Sequence, residues 1–282
     1  MTNKFVDFHA HSTASDGTLT PRELAGYAAE KGLIAAAKTD HDTIDGTAEF
    51  FDECKKLGVE PVSGVEMSAK YSCELHIVGL FVDINSPEFC EKLETLKNSR
   101  LIRNKQMLDA LKQNGMEISE KTLLENNPGK TLKSLGRPHF AREMVANGYV
   151  SDINEAFLKY LGRGKSCYVK RISFTPEECI EIIKNAGGLA ILAHPIYITQ
   201  DRDELCELFK KLRACGLDGA ECYYGAYTRE FSELCLSLCE KTGLLPSGGS
   251  DFHGANRTDT DLGCANVPYT VFENMKHRKE GL

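Results

Sequence analysis

The sequence lacks the long apolar segments that mark membrane-spanning and secreted proteins. No window approaches the roughly 18 apolar residues of a membrane span. Residues 1–4 do not open the apolar stretch of a signal peptide. We therefore expect a cytoplasmic protein with no membrane partner.

The sequence also lacks the cysteine pattern of a disulfide-rich or redox-active domain. Its 11 cysteines are odd in number and none forms a CxxC pair. Several, such as Cys235 and Cys239, lie within apolar helical patterns. We expect reduced, mostly buried thiols.

A third absence is an overall positive charge, because the formal net charge is −7. This value argues against a protein that coats long duplex nucleic acid. The charge is uneven, however. Residues 87–171 carry 16 Lys and Arg against 10 Asp and Glu, a net of +6, whereas the rest carries 18 against 31, a net of −13.

Near the start, an apolar run ends in three metal-capable side chains at alternate positions: Asp7, His9 and His11. In a strand, residues two apart point to one face, so these three would project together where the strand gives way to a loop. The spacing predicts half of a metal site.

The same arrangement, a short apolar strand followed by polar residues and a helix, recurs along the chain. Seven strand candidates alternate with helices, which is close to a (β/α) barrel, where functional groups gather at the carboxyl ends of the strands. This alternation stops after Pro87, where apolar residues at helical spacing over a long segment, followed by turn signals, replace the strand pattern. We expect an α/β protein with a barrel domain, residues 1–86 and 172–282, and a mostly α-helical insertion, residues 87–171.

Metal-capable residues lie in or just after six of the predicted strands. The nine candidates are His9, His11, Asp16, His41, Glu66, His76, His194, Asp251 and His253. Taken singly, each is better explained as a buried histidine, a loop carboxylate or a turn residue. Together at one end of successive strands they would be buried and mutually repelling without a cation. Asp40 and Asp42 are expected to orient the ligating imidazoles.

The motifs around these positions resemble those of the PHP (polymerase and histidinol phosphatase) family. They are Asp7-Phe8-His9-Ala10-His11, Ser15-Asp16-Gly17, Thr39-Asp40-His41, Gly64-Val65-Glu66, Ala193-His194-Pro195 and Ser250-Asp251-Phe252-His253. The resemblance spans nearly the whole chain and implies a distorted seven-stranded (β/α) barrel with up to three metal ions.

The resemblance also implies how the ligands divide among the metals. One set would be His9, His11, Glu66 and Asp251; a second Asp16, His41 and His253; and a third Glu66, His76 and His194. Several relatives have histidine where this chain has Asp16, and the harder oxygen ligand bears on the identity of the second metal.

Mixed imidazole and carboxylate donors suit two or three Mn, Fe or Zn ions better than Mg²⁺ or Ca²⁺. On such a cluster a water becomes hydroxide near neutral pH, while the cations neutralise a phosphoryl group. This chemistry predicts a metal-dependent phosphoesterase, a hydrolase that uses metal-bound water held by His9, His11, Glu66 and Asp251.

In the basic insertion, Arg103, Arg137 and His139 are candidates to bind a second phosphate, since a guanidinium suits bidentate phosphate contacts. The insertion also resembles the PHP subgroup that acts on nucleotides, including nucleoside 3′,5′-bisphosphates and short 5′-phosphorylated oligonucleotides. The expected substrate is thus a small phosphorylated molecule of the AMP or bisphosphate type.

Several alternatives remain open from the sequence. They are a 5′ to 3′ exonuclease on short 5′-phosphorylated RNA, a histidinol-phosphate phosphatase, hydrolysis of a non-phosphate substrate such as an amide, and a non-catalytic metal-binding regulatory module.

Overall fold

The structure is a computed structural model that describes residues 4–281. These residues divide into two units, which we call the barrel unit (residues up to 93 and from 173) and the helical unit (residues 94–172). The role of residues 87–171 as a separate functional domain stays a prediction.

Eight strands form one sheet in the barrel unit. Their bounds are β1 (Phe5–Asp7), β2 (Ala35–Lys38), β3 (Glu60–Ala69), β4 (Leu75–Leu80), β5 (Leu189–Leu192), β6 (Gly219–Tyr224), β7 (Leu245–Gly249) and β8 (Val267–Pro268). Their order in the sheet is β7-β6-β5-β4-β3-β2-β1-β8. The chain after β1 also bonds to β7 and its loop, since Phe8 N donates to Gly248 O at 3.2 Å and Asp251 N donates to His9 O at 2.8 Å.

These bonds bring the two sides of the sheet together into a nearly closed barrel. The predicted α/β fold with a distorted barrel and a helical region is therefore confirmed. The sequence did not predict β8, a two-residue strand that pairs antiparallel with β1.

One strand, β4, runs antiparallel to both of its neighbours, β3 and β5. This reversal places the first residues of β4 beside the last residues of β3, and His76 pairs with Ser68. A histidine at the start of β4 therefore lies at the same edge as residues that follow the parallel strands.

Side chains along β1 and the residues that follow it alternate between the hydrophobic core and the face that carries the metal-capable residues. Val6 and Phe8 are buried in a hydrophobic cluster that also contains Phe272 and Met275. Phe8 and Phe272 pack with their ring centroids 5.6 Å apart. Because side chains alternate across a strand, Asp7, His9 and His11 point away from this cluster.

The described residues 4–281 contain ten α-helices. They are α1 (Pro21–Glu30), α2 (Thr47–Leu57), α3 (Pro87–Gln113), α4 (Glu120–Glu125), α5 (Arg137–Ala146), α6 (Ile153–Ala156), α7 (Pro176–Asn185), α8 (Arg202–Ala214), α9 (Arg229–Thr242) and α10 (Tyr269–Glu280). Within residues 4–281, no helix has both the length and the apolar character needed to cross a membrane.

Two helices of the barrel unit begin with the same capping signal. Thr20 before α1 and Thr175 before α7 each accept a bond from a glutamate backbone N–H three residues on, while that glutamate accepts from the threonine backbone. Each cap is followed by a proline at the first helical position, where its missing N–H costs nothing. These reciprocal bonds fix where the two helices begin.

The helical unit has its own hydrophobic core. Met107 and Leu111 of α3 pack there with Leu123 of α4 and with Phe140 and Met144 of α5. In the described structure, residues 94–172 contain helices and loops without a strand.

Candidate metal centre

All nine metal-capable residues predicted from the sequence lie in the barrel unit, and the structure brings them together around Glu66. Eight of them fall into three overlapping groups whose ligand atoms lie within 4.8 Å of one another. The ninth, His194, contacts Glu66 directly.

The first group consists of His9, His11, Glu66 and Asp251, all buried. His9 Nε2 lies 3.4 Å from Glu66 Oε1 and 3.3 Å from Asp251 Oδ1. His11 Nε2 lies 3.3 Å from Glu66 Oε2 and 3.2 Å from the same Asp251 oxygen. Two imidazole nitrogens and two carboxylates thus face one point, in the combination that was predicted for the first metal.

The second group surrounds Asp16. Its Oδ1 lies 3.6 Å from His11 Nδ1 and 3.4 Å from His253 Nε2, and its Oδ2 lies 3.7 Å from His41 Nε2. This group contains the predicted Asp16, His41 and His253, and it adds His11, whose two ring nitrogens face two different groups.

The third group joins His41, Glu66 and His76. His76 Nδ1 and His194 Nε2 lie 2.7 and 3.0 Å from Glu66 Oε1, and His41 Nδ1 lies 2.9 Å from Glu66 Oε2. The predicted third set contained His194 rather than His41. The structure keeps His194 beside Glu66, but places His41 between the second and third groups.

The pKa values of the buried carboxylates and imidazoles of the centre are set by burial and by neighbouring charges, which act in opposite directions. Burial would raise the pKa of Glu66, but His76, His41 and His9 hold that pKa well below its usual value. Conversely, burial would lower the pKa of His11, but the nearby carboxylates of Asp251 and Glu66 raise it to about 10. In the metal-free protein, protons on the histidines therefore supply the positive charge that the carboxylates require.

A metal would satisfy polar atoms that the protein itself leaves without hydrogen bonds. Five such buried atoms are in the centre: His9 Nε2, His11 Nε2, His41 Nδ1, Glu66 Oε2 and His194 Nδ1. Buried polar atoms without partners are rare in folded proteins, and imidazole nitrogens and carboxylate oxygens are common ligands of transition metals. The donor set therefore fits divalent metals.

Glu221, in β6, is a residue of the centre that the sequence did not single out. Its side chain is buried, Oε1 lies 2.7 Å from His9 Nδ1, and Oε2 accepts from His194 N at 2.6 Å. A carboxylate on the far nitrogen of a ligating imidazole fixes both ring orientation and tautomer. An acidic residue inside an otherwise buried strand was the available signal.

Two residues of the centre that are not glycine have a positive φ. His194 has φ 28° and Asp251 has φ 53°, and each is the second residue after the end of a strand. Such conformations are sparsely populated and concentrate at functional sites. The surrounding hydrogen bonds hold the two side chains at the centre despite this strain.

Asp7 differs from the sequence-based interpretation of a metal-capable residue beside His9 and His11. Its Oδ1 accepts from the backbone N–H groups of His9 and Ser250, at 3.1 and 3.0 Å, and its Oδ2 accepts from Gly263 N at 2.8 Å. Asp7 thus fastens β1 to the loop that carries Asp251. The contact is so close that a Cβ on Gly249 would lie 2.4 Å from His9 N, so only glycine fits there.

Asp40, which we expected to orient an imidazole, instead fixes a loop. It accepts from the backbone and hydroxyl of both Ser12 and Ser15, and it pairs with Lys38 at 2.8 Å. Lys38 and Asp40 are both fully buried. The pair therefore positions the loop that leads to Asp16. Asp42 accepts from Ser68 N at 3.1 Å.

Asp251 is also held from the side opposite His9 and His11. Tyr224 Oη donates to Asp251 Oδ2 at 2.8 Å, and Arg257 Nη1 contacts the same oxygen. One oxygen of Asp251 thus faces the histidines while the other is fixed by a tyrosine and an arginine. The sequence offered no spacing rule that would have identified Arg257.

In the helical unit, two of the three predicted phosphate-binding residues lie at the start of α5, and the third, Arg103, lies in α3. Arg137 and His139 are the first and third residues of α5. Arg103 Nη2 donates to Leu135 O at 3.5 Å, and Asn104 Nδ2 donates to the same oxygen at 2.8 Å. The helix start therefore combines two guanidinium groups with the positive end of a ten-residue helix.

Comparisons with known proteins agree with this chemistry. The model of the PHP domain matches residues 7–165. The chain is 36% identical to a 5′-3′ exoribonuclease of Haemophilus influenzae, over 90% of this chain and 91% of that protein. It is 33% identical to a 3′,5′-nucleoside bisphosphate phosphatase of Chromobacterium violaceum, over 92% and 90%.

Among solved structures, the chain is similar to one from Bifidobacterium adolescentis described as a candidate metal-dependent phosphoesterase. The two share a TM-score of 0.85 and 28% identity, over 98% of this chain and 96% of that chain.

Proposed function

This chain belongs to the PHP domain family and is a metal-dependent phosphoesterase, and we propose that it removes a phosphate from a nucleotide of the AMP or nucleoside 3′,5′-bisphosphate type. The observation that carries the proposal is the convergence on Glu66 of three buried imidazole nitrogens without hydrogen bonds, those of His9, His11 and His41. The similarity to a 3′,5′-nucleoside bisphosphate phosphatase supports the choice of substrate.

The three groups of ligands would hold two or three Mn, Fe or Zn ions. Such ions, when bound by His9, His11, Glu66 and Asp251, supply an activated water and neutralise the charge of a phosphate ester. The chain itself sets the positions of these ligands. Glu66 belongs to both the first and the third group, so it would help to hold an ion in either of them.

The surrounding protein keeps the ligands in place during turnover. Glu221 holds the imidazole of His9, while Tyr224 and Arg257 leave one oxygen of Asp251 directed at the histidines. Preorganised ligands lower the reorganisation needed when charge develops on the phosphate.

The test is phosphate release by protein loaded with Mn²⁺. The substrates compared are AMP, adenosine 3′,5′-bisphosphate, histidinol phosphate and a short 5′-phosphorylated RNA. We expect turnover of a nucleotide that the Glu66→Gln substitution abolishes, because the amide cannot provide two anionic oxygens. Failure to release phosphate from any of the four, with metals bound, would contradict the proposal.

We further propose that Arg103, Arg137 and His139 bind a phosphate of the substrate. The start of α5 supports this, because a helix N-terminus and two guanidinium groups attract anions. Arg137→Ala should raise KM for adenosine 3′,5′-bisphosphate far more than for a simple monoester. Equal effects on both substrates would contradict a second phosphate contact.

A second candidate is 5′ to 3′ hydrolysis of short RNA. The 36% identity to a 5′-3′ exoribonuclease favours it specifically. Release of successive mononucleotides from the 5′-phosphorylated RNA, with little turnover of free AMP, would establish this activity instead.

A further inference from the structure

We infer that the barrel unit contains a binding subsite for the nucleoside part of the substrate, formed by Tyr197 and the groove that begins at the next residue. The inference rests on the proposed nucleotide phosphatase function, and it adds which side chains receive the base and sugar.

The first observation is an exposed aromatic ring at the rim of the metal centre. Tyr197 is 49% exposed, whereas Tyr224, which also borders the centre, is buried at 4%. The rings of Tyr197 and His194 lie 5.4 Å apart. Among the described residues of the barrel unit, the only other exposed large hydrophobic side chain is Leu57.

The second observation is that this exposed ring is fixed. Arg257 Nη2 donates to Tyr197 Oη at 2.9 Å, and Arg257 is itself anchored on Asp251 and Tyr224. The Tyr197 ring also packs edge-on against Tyr224, at an angle of 87°. A ring held in this way loses little conformational freedom when a flat ligand stacks on it.

The third observation is a groove whose lining begins at the residue after Tyr197. Its volume is about 530 Å³, and Ile198 and Thr199, which directly follow Tyr197, line it. Residues 71–73, which precede His76 of β4 by three to five positions, line it as well. The lining is therefore close in sequence to both His76 and His194, and the volume lies in the usual range for a small-molecule site.

The chemistry of the groove suits a nucleoside better than a phosphate. Apolar surface comes from Ile198 and Leu208, and Thr199 and Glu204 provide polar groups. Two glutamates and one lysine line it; Glu207 is paired with Lys210 at 2.7 Å and Lys211 with Glu177 at 2.9 Å. The one lysine is therefore already engaged by a carboxylate. Glu204, whose Oε2 accepts from Thr199 Oγ1 at 2.7 Å, has a second oxygen that can accept from the exocyclic amino groups of a base.

Two substitutions isolate the aromatic ring of Tyr197. Tyr197→Phe keeps the ring and loses the hydroxyl bond to Arg257, and Tyr197→Leu loses both. Any disturbance of Arg257 is therefore common to the two variants. The difference between them reports stacking alone.

The kinetic measurement compares AMP with ribose 5-phosphate, which lacks the base. Relative to Tyr197→Phe, Tyr197→Leu should raise KM for AMP by at least about fivefold, since base stacking on an aromatic side chain is worth that much or more. KM for ribose 5-phosphate should be the same in both variants. Equal KM ratios in the two variants would overturn the inference.

A binding measurement without turnover keeps this test separate from the proposed function. Metal-free wild-type protein and Tyr197→Phe should broaden the adenine H2 and H8 resonances of added adenosine, and Tyr197→Leu should broaden them markedly less. Equal broadening by both variants would refute the subsite. Wild-type protein that binds adenosine yet hydrolyses neither phosphate ester would refute the proposed function while leaving the subsite supported.

Discussion

Replacing Glu221 by glutamine removes one charge and one acceptor from behind the first group of ligands, with almost no change in volume. Glu221 accepts two bonds, from His9 Nδ1 and from the backbone N–H of His194. A glutamine side chain has only one oxygen, so its NH₂ group must face one of these two donors. Either the His9 ring turns over or the loop at His194 moves.

The size of the effect follows from burial. Glu221 is 1% exposed, so water cannot replace the lost acceptor. Carboxylates that orient metal-ligating histidines typically contribute 10- to 100-fold to metal affinity or activity. We therefore expect Glu221→Gln to weaken metal binding by about 10- to 100-fold, which corresponds to about 1.4 to 2.7 kcal/mol.

The assay is competition with a chelator of known affinity, together with kcat/KM for AMP and the Tm of the metal-free protein. Glu233→Gln is the matched control, because Glu233 lies exposed on α9 and pairs only with Arg229 at 2.8 Å among its described contacts. Glu221→Gln protein that folds, binds metal with wild-type affinity and turns over at the wild-type rate would refute the assigned role of Glu221.

Two further predictions concern the neighbourhood of the centre. Lys38→Met should destabilise the protein by about 3 kcal/mol in denaturant unfolding, because it leaves the Asp40 carboxylate buried and unpaired; adding Asp40→Asn should recover part of the loss, and a cost below about 1 kcal/mol would contradict the argument. Burial would lower the pKa of His76, but Glu66 raises it to about 9, and the pKa of His11 is about 10. Metal binding near pH 7 should therefore release protons from both residues and strengthen as pH rises, which calorimetry in buffers of different ionisation enthalpy would detect; an affinity independent of pH between about 6 and 8 would contradict it.

The fold and the nine metal-capable residues could be predicted because both depend on local order in the sequence. Most of the candidate ligands follow or begin a short strand, and Glu66 lies in the second half of β3. One rule, functional groups at one edge of the sheet, therefore collects residues as distant as His9 and Asp251. The apolar stretches that predicted seven strands correspond to β1 through β7.

The direction of a strand relative to its neighbours could not be predicted from the sequence pattern. Periodicity gives β4 its two faces, but nothing in Leu75–Leu80 encodes whether it runs parallel or antiparallel to its neighbours. His76 therefore looked like a residue inside a strand, and only the pairing with Ser68 explains why it reaches Glu66.

The sequence did not reveal the residues that hold the candidate ligands in place, for a different reason. Glu221 lies within β6, among residues whose burial pattern is that of an ordinary core strand. Arg257 follows the last ligand by several residues in a loop with no periodicity. Their roles depend on distances between chain segments far apart in sequence, such as His9 and Glu221, which no spacing rule specifies.

The candidate metal ligands and the residues that hold them in place are expected to affect substrate specificity differently. The candidate metal ligands repeat one sequence rule, so relatives with different substrates can share them. Tyr197 and Arg257 follow no such rule, yet they connect Asp251 to the exposed rim of the centre through hydrogen bonds. If substrate choice depends on such residues, exchanging Tyr197 should change the preference between AMP and ribose 5-phosphate, while the metal content of the protein stays the same.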